Sequence, residues 1–205
     1  MAKQFIFITL LLWANSVFGQ SIFNFFRTPP PPPTIKRIKI EERNHDCVKK
    51  GKTSFSDRLK NYPFDVSTCI QFVSFVSGIY EQNNIRTKSD SLPRMNDTVV
   101  YAKLTEVKTL TFRQVDALSD IFYNYGFRGR ITTIGNAACY MPRNAILFLD
   151  KNNKVVEFIE ICFECDRTKE SSLKISLGEM CTQKLDMLKN LFRKVGVEYG
   201  TREIK

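Results

Sequence analysis

A chain of 205 residues with six cysteines, one histidine and a formal charge of +10 is long enough for one domain with a real core. The single histidine, His45, argues against two-Cys, two-His zinc fingers, HExxH proteases and Ser-His-Asp triads. No GxSxG, Walker A or GxGxxG sequence occurs, so the common hydrolase and nucleotide-binding signatures are missing too.

Residues 1–19 read as a secretory signal, with Lys3 first, an apolar Phe5–Leu12 run, and small Val17 and Gly19 before Gln20. That run is shorter than the roughly 20 residues that span a bilayer, and no later segment is apolar enough. The expectation is export to a periplasmic or extracellular setting, with no transmembrane segment after cleavage. Loss of Lys3 leaves 30 Lys and Arg against 21 Asp and Glu, or +9. Such a balance suits an anionic surface ligand, or simply solubility. Residues 20–44 read as a flexible leader in which Pro29–Pro33 favours an extended polyproline helix. A single globular domain is expected over 45–200, with 201–205 as a tail. IKRIKI (35–40) and KKGK (49–52) are the dense basic spots. No RNP-type aromatic motif accompanies them, so no specific nucleic-acid motif is read.

The first predicted helix covers 66–82, with Asp65 as N-cap and Cys69, Phe72, Val73, Val76, Ile79 and Tyr80 as one apolar stripe. Residues 83–97 read as a loop carrying the Asn96-Asp97-Thr98 sequon, and 98–109 as a strand. A second helix spans 112–125, opened by a Thr111–Gln114 capping box and stopped by Gly126. GRITTIG (129–135) reads as a short strand. Next comes a hairpin over about 143–162, in which NAILFLD and VVEFIEIC flank KNNK and Asn153 supplies the left-handed turn residue. Its register sets Asp150 opposite Lys154, Leu149 opposite Val155, Phe148 opposite Val156, Ile146 opposite Phe158 and Asn144 opposite Glu160. A third helix spans 177–195. Its signals are a Ser176–Glu179 capping box, a stripe of Cys181, Leu185, Leu188, Phe192 and Val195, and a Gly196 stop. Together these elements predict an α+β fold: a small, mostly antiparallel sheet with a central hairpin, packed by three helices.

Six cysteines in an exported chain suit disulfides. The hairpin register, extended past Pro142, places Cys139 opposite Cys165. Cys47–Cys69 would staple the domain's start to the first helix, and Cys162–Cys181 would complete the set. Two alternatives stay open. Cys162 and Cys165 form a CxxC pair, but DRTKESS follows as a loop instead of a helix N-terminus. Glu160, Glu164 and Asp166 would also raise a thiol pKa there. Cys139, Cys162, Cys165 and Cys181 are enough in number for an all-cysteine zinc site, although a zinc ribbon shows two CxxC pairs.

CYMPRNAILFLDKNNKVVEFIEICFEC (139–165), followed by KISLGEMCTQKLDMLKNLF, resembles a group of uncharacterised exported bacterial proteins. The shared features are a Cys-Tyr-x-Pro-Arg start, an Ile-Cys-Phe-x-Cys finish and a cysteine in the final helix. The resemblance covers 110–200. It implies an exported bacterial setting and carries no activity or cofactor. The reading adopted is a non-catalytic, disulfide-supported binding module without a cofactor, whose partner is a protein or an anionic surface ligand. Tyr140, Arg143 and Asn144 are the candidate binding residues, with Arg143 pairing to Glu157 or Glu160 as their structural alternative. The rival is a thiol–disulfide redox protein or a zinc-binding protein centred on the hairpin cysteines.

Overall fold

The computed structural model describes residues 32–82, 85–89, 91–132 and 139–202, with backbone alone for 78–82 and 85–89. The chain divides into two compact units, residues 1–37 and 38–205. The signal segment and Pro29–Pro31 lie outside the described residues. The described part of the first unit opens helix α1 (Ile35–His45), which occupies the end of the segment read as leader.

The elements of the second unit follow in order: β1 (Cys47–Lys49), α2 (Phe55–Arg58), β2 (Cys69–Phe75), β3 (Gly78–Gln82), β4 (Ile85–Ser89), β5 (Arg94–Met95), β6 (Thr98–Val99), β7 (Leu104–Thr109), α3 (Phe112–Asn124), β8 (Tyr125–Phe127), β9 (Asn144–Leu149), β10 (Val155–Cys162), β11 (Arg167–Glu170) and α4 (Lys184–Val195). The main sheet has five antiparallel strands in the order β11-β10-β9-β2-β7. The fold is α+β, and the β9–β10 hairpin lies inside its sheet.

The predicted helix at 66–82 is instead β2 and β3. In β2, Phe72, Val73, Ser74 and Phe75 are all fully buried. A central strand covered on both faces loses the period-two signature, so an all-apolar run fits a helical stripe by accident. The segment's aromatic and β-branched content was the better guide. Two smaller corrections have similar causes. The 83–97 loop contains β4 and β5, and the 98–109 strand is broken into β6 and β7 by a short turn of 3-10 helix at Tyr101–Lys103. Residues 129–132 carry no strand, and 133–135 lie outside the described residues.

Local signals performed better. The Thr111–Gln114 capping box opens α3 as expected. That helix does not stop at Gly126 by a left-handed turn; the chain runs straight into β8, which pairs with β1. Helix α4 ends at Gly196, whose φ of +91° suits only a residue without a Cβ. Its start falls at Lys184, so the Ser176–Glu179 box does not form. Gly178, at φ +69°, interrupts that turn, and a Cβ there would sit 2.3 Å from the Phe122 carbonyl oxygen. Glu179 is used elsewhere: it accepts from the Phe127 N–H and pairs with Lys50.

The sheet buries both faces. On one, Ile70, Phe72, Ile146, Phe148, Ile159 and Ile161 meet Leu118 and Phe122 of α3 and Leu185, Leu188 and Phe192 of α4. On the other, Val73, Phe75, Ala145, Leu147 and Leu149 pack with Leu92 and Val99. Arg58 ties α2 to α3: it is buried, donates to Ser119 Oγ at 3.1 Å and pairs with the Asp116 carboxylate. The hairpin turn matches expectation, with Asn153 left-handed at φ +59° and Asp150 bonded to Lys154. Its register holds at Asp150–Lys154 and Val155–Leu149. A bulge before Glu157 then shifts every later pair by one, so Phe158 meets Leu147, Ile159 meets Ile146 and Ile161 meets Asn144. A bulge adds an unpaired residue that sequence alternation does not announce.

Candidate functional site

Beyond Asn144 the β9 chain leads back to Cys139, and beyond Cys162 the β10 chain turns through Cys165. Cys139 and Cys165 are bonded, with Cα atoms 5.7 Å apart, as the hairpin reading required. The Cys165 N–H donates to the Cys162 carbonyl at 3.3 Å, so the chain does turn within the CxxC. DRTKESS is not a loop there but β11, launched from Asp166 at φ +48°. Cys162 remains a thiol, buried at 1% exposure.

The second bond joins Cys47 to Cys181, with Cα atoms 5.0 Å apart. This corrects both Cys47–Cys69 and Cys162–Cys181. The N-terminal chain is laid beside the approach to α4: Cys47 N–H donates to Gln183 Oε1 at 2.7 Å, and Thr182 N–H donates to the His45 carbonyl at 3.0 Å. Cys69 starts β2 and packs, half-buried, against the second core cluster. Three of the four cysteines in the zinc alternative are engaged in disulfides. Cys139, Cys165 and Cys181 are taken by two different bonds, and among the described residues no group of three or more His, Cys, Asp or Glu side chains is placed to hold a metal.

All three candidate binding residues sit at this end of the hairpin, and each is engaged within the domain. Tyr140 donates its hydroxyl to Glu160 Oε2 at 2.9 Å, while the Leu92 N–H supplies Oε1 at 2.7 Å. Burial, then the Glu160 charge, pushes the Tyr140 phenol far above its ordinary value. The Arg167 guanidinium lies over the Tyr140 ring, 5.6 Å from its centroid. Arg143 pairs with Glu164, neither Glu157 nor Glu160. Glu157 is instead held by the Tyr62, Ser171 and Ser172 hydroxyls. Burial raises the Glu157 carboxyl, and these donors outweigh it, for a net lowering. Asn144 is fully buried and donates to the Tyr199 carbonyl at 2.9 Å. Its Oδ1 is buried without a hydrogen-bond partner among the described residues, so the end of the sheet is held on the amide nitrogen side alone.

The two basic spots differ sharply. In KKGK, Lys49 pairs with Asp120 and Lys50 with Glu179, each at 2.8 Å. In IKRIKI and just beyond it, Lys36, Arg37, Lys39 and Arg43 are exposed on α1 and make no ion pair among the described residues. The far end of α1 is fastened to its surroundings. Asn44 Nδ2 donates to the Arg130 carbonyl at 2.9 Å, Glu41 accepts from Thr132, and the His45 ring meets Phe127 edge-on at 5.7 Å. Sequence density alone marked both spots equally; only tertiary pairing separates them.

Lys184 was not singled out from sequence, because it lies on a helix where a solvated lysine is ordinary. It is fully buried, and its ammonium donates to the carbonyls of Leu177 at 2.8 Å and Phe122 at 3.0 Å. Burial pushes its pKa down to about 8, partly offset by Glu179. Between about pH 8 and the ordinary 10.5 the unfolded chain therefore binds more protons, and stability rises with pH. Above about pH 10 the trend turns over, because Tyr62 and Tyr123 are raised to about 12 and keep protons that the unfolded chain has lost. Chemical denaturation should show a gain of about 2 kcal/mol from pH 7 to pH 10, absent in Lys184→Met.

No protein-family profile, curated protein or solved structure matches the chain.

Proposed function

We propose that this is an exported, non-catalytic binding module, held by disulfides, that meets an anionic partner through the basic face of α1. The observation that carries the reading is the contrast between Lys49 and Lys50 of KKGK, which are neutralised, and the α1 cations, which have no ion pair among the described residues. Surface cations left without carboxylates keep their full attraction for an external anion. Two disulfides and a chain in which no described helix is long and apolar enough to cross a membrane are consistent with an extracellular or periplasmic setting, as is the resemblance to exported bacterial proteins. The rival thiol or metal chemistry lacks an exposed dithiol: Cys165 is bonded to Cys139 and Cys162 is buried.

The test is salt-gradient elution from immobilised heparin, used as a generic anionic surface. K36E/K39E/R43E should elute far earlier than the unmodified protein. K151E/K154E/K169E carries the same charge change at exposed lysines elsewhere and should move it much less. Equal shifts in the two variants would show that only net charge matters, and the α1 assignment would fall.

A further inference from the structure

Asn96-Asp97-Thr98 is the one Asn-x-Ser/Thr sequence in the chain, and it forms the tip of a hairpin. Strands β5 and β6 pair Arg94 with Val99 and Met95 with Thr98, so Asn96 and Asp97 make a two-residue loop. Both are left-handed, at φ +49° and +60°, as a type I′ turn requires. The root of this hairpin is anchored. Leu92 and Val99 lie in the second core cluster, and the Val100 N–H donates to the Pro93 carbonyl at 2.9 Å. The tip is free. Met95 to Thr98 are exposed, the Asp97 side chain is 101% exposed, and the Asn96 carboxamide has no hydrogen-bond partner among the described residues. Asn and Asp are ordinary residues at left-handed turn positions, so the turn alone accounts for residues 96 and 97. It does not call for a hydroxyl at 98. Thr98 Oγ1 donates only to the Asn96 carbonyl, at 3.5 Å, the long limit of a hydrogen bond.

We infer that Asn96 carries an N-linked oligosaccharide, a step that rests on the export part of the proposed function and not on α1. In the transfer, Asn96 Nδ2 attacks the anomeric carbon of a lipid-pyrophosphate-linked oligosaccharide. The carbon–nitrogen bond forms and the bond from that carbon to the phosphate oxygen breaks. The lipid pyrophosphate leaves with the electron pair, and Nδ2 gives up one proton. The acceptor sequence needs a hydroxyl residue two positions on and any residue but proline between; Thr98 and Asp97 meet both conditions. A bulky, hydrophilic glycan also needs a surface position, and the tip supplies one. With only two paired positions the tip opens readily, so the acceptor can be presented without disturbing the anchored root.

The experiment is peptide mapping by mass spectrometry of the full chain, made in its natural host and recovered from the exported fraction. The peptide containing Asn96 should carry a sugar mass that peptide-N-glycosidase removes, leaving aspartate at that position. Asn96→Asp keeps a residue that tolerates the turn. Thr98→Val keeps the β-branched shape and removes the hydroxyl. Each should lower the modified fraction at least about tenfold, while Thr98→Ser should retain it. These positions are exposed, and unaltered thermal unfolding will confirm that the variants fold. Unmodified Asn96 in the exported chain, or a sugar that survives Thr98→Val, would overturn the assignment. So would a sugar that survives Asn96→Asp but is lost in Thr98→Val, which belongs to the Thr98 hydroxyl. All three leave the export reading standing. Export fails by a different result, a chain retained in the cell with residues 1–19 attached. The glycan assignment falls with it, since an unexported chain does not meet the donor.

Discussion

Replacing Cys47 and Cys181 together by serine is expected to lower unfolding free energy by about 5 kcal/mol, against about 3.5 kcal/mol for the same change at Cys139 and Cys165. The difference comes from loop length. The first bond closes a separation of 134 residues and the second only 26, and loop-closure entropy grows with the logarithm of that number. The Cys47–Cys181 bond also has a structural consequence that the other lacks. It holds β1, and through the β1–β8 pairing the end of α3, beside the approach to α4. A loss of this size is comparable with the whole stability of a modest domain. Denaturant titration of the oxidised proteins should therefore rank the unmodified chain above the Cys139/Cys165 variant, and that above the Cys47/Cys181 variant. The reverse order of the two variants would mean that the long bond does not close the native domain.

Phe192→Ala should cost about 4 kcal/mol. Phe192 is fully buried, lies flat on Phe72 with ring centroids 3.8 Å apart, and meets the edge of Phe163 at 5.5 Å. One side chain therefore joins α4 to the interior strand β2 and to the turn after β10. Truncation leaves a cavity lined by rings that belong to different elements, which cannot collapse onto one another freely. Leu173→Ala is the matched control: Leu173 is wholly exposed, so its loss should change stability by less than about 0.5 kcal/mol. Similar costs at the two positions, read from denaturant midpoints, would contradict the packing described for α4.

What could be read from sequence was what neighbouring residues decide. The α3 capping box, the Asn153 turn, the glycine after α4 and the proximity of Cys139 to Cys165 all depend on a few residues close in the chain, or on one hairpin. The strand β2 was misread because burial on both faces erases alternation. The bulge near Val156 was invisible because an inserted residue leaves the apolar pattern of VVEFIEIC intact. The start of α4 was misplaced because Gly178 answers to the Phe122 carbonyl, which is remote in sequence. Cys47–Cys181 depends on the whole chain path between them. The candidate site divides the same way. Its hairpin residues lie together, but the contacts that Tyr140, Arg143 and Asn144 make within the domain depend on Glu160, Glu164 and Tyr199, none of which composition identifies. The basic helix was seen as a run of charge. Its distinction from KKGK needed Asp120 and Glu179.

The most direct measurement is peptide mapping of the native, alkylated protein by mass spectrometry, because the pairing of the cysteines decides whether they serve as scaffold. Cys47 should be linked to Cys181 and Cys139 to Cys165, with Cys69 and Cys162 recovered as alkylated thiols once the chain is unfolded. Recovery of a Cys162–Cys165 link in the native protein, with Cys139 free, would contradict it and return the hairpin end to thiol chemistry.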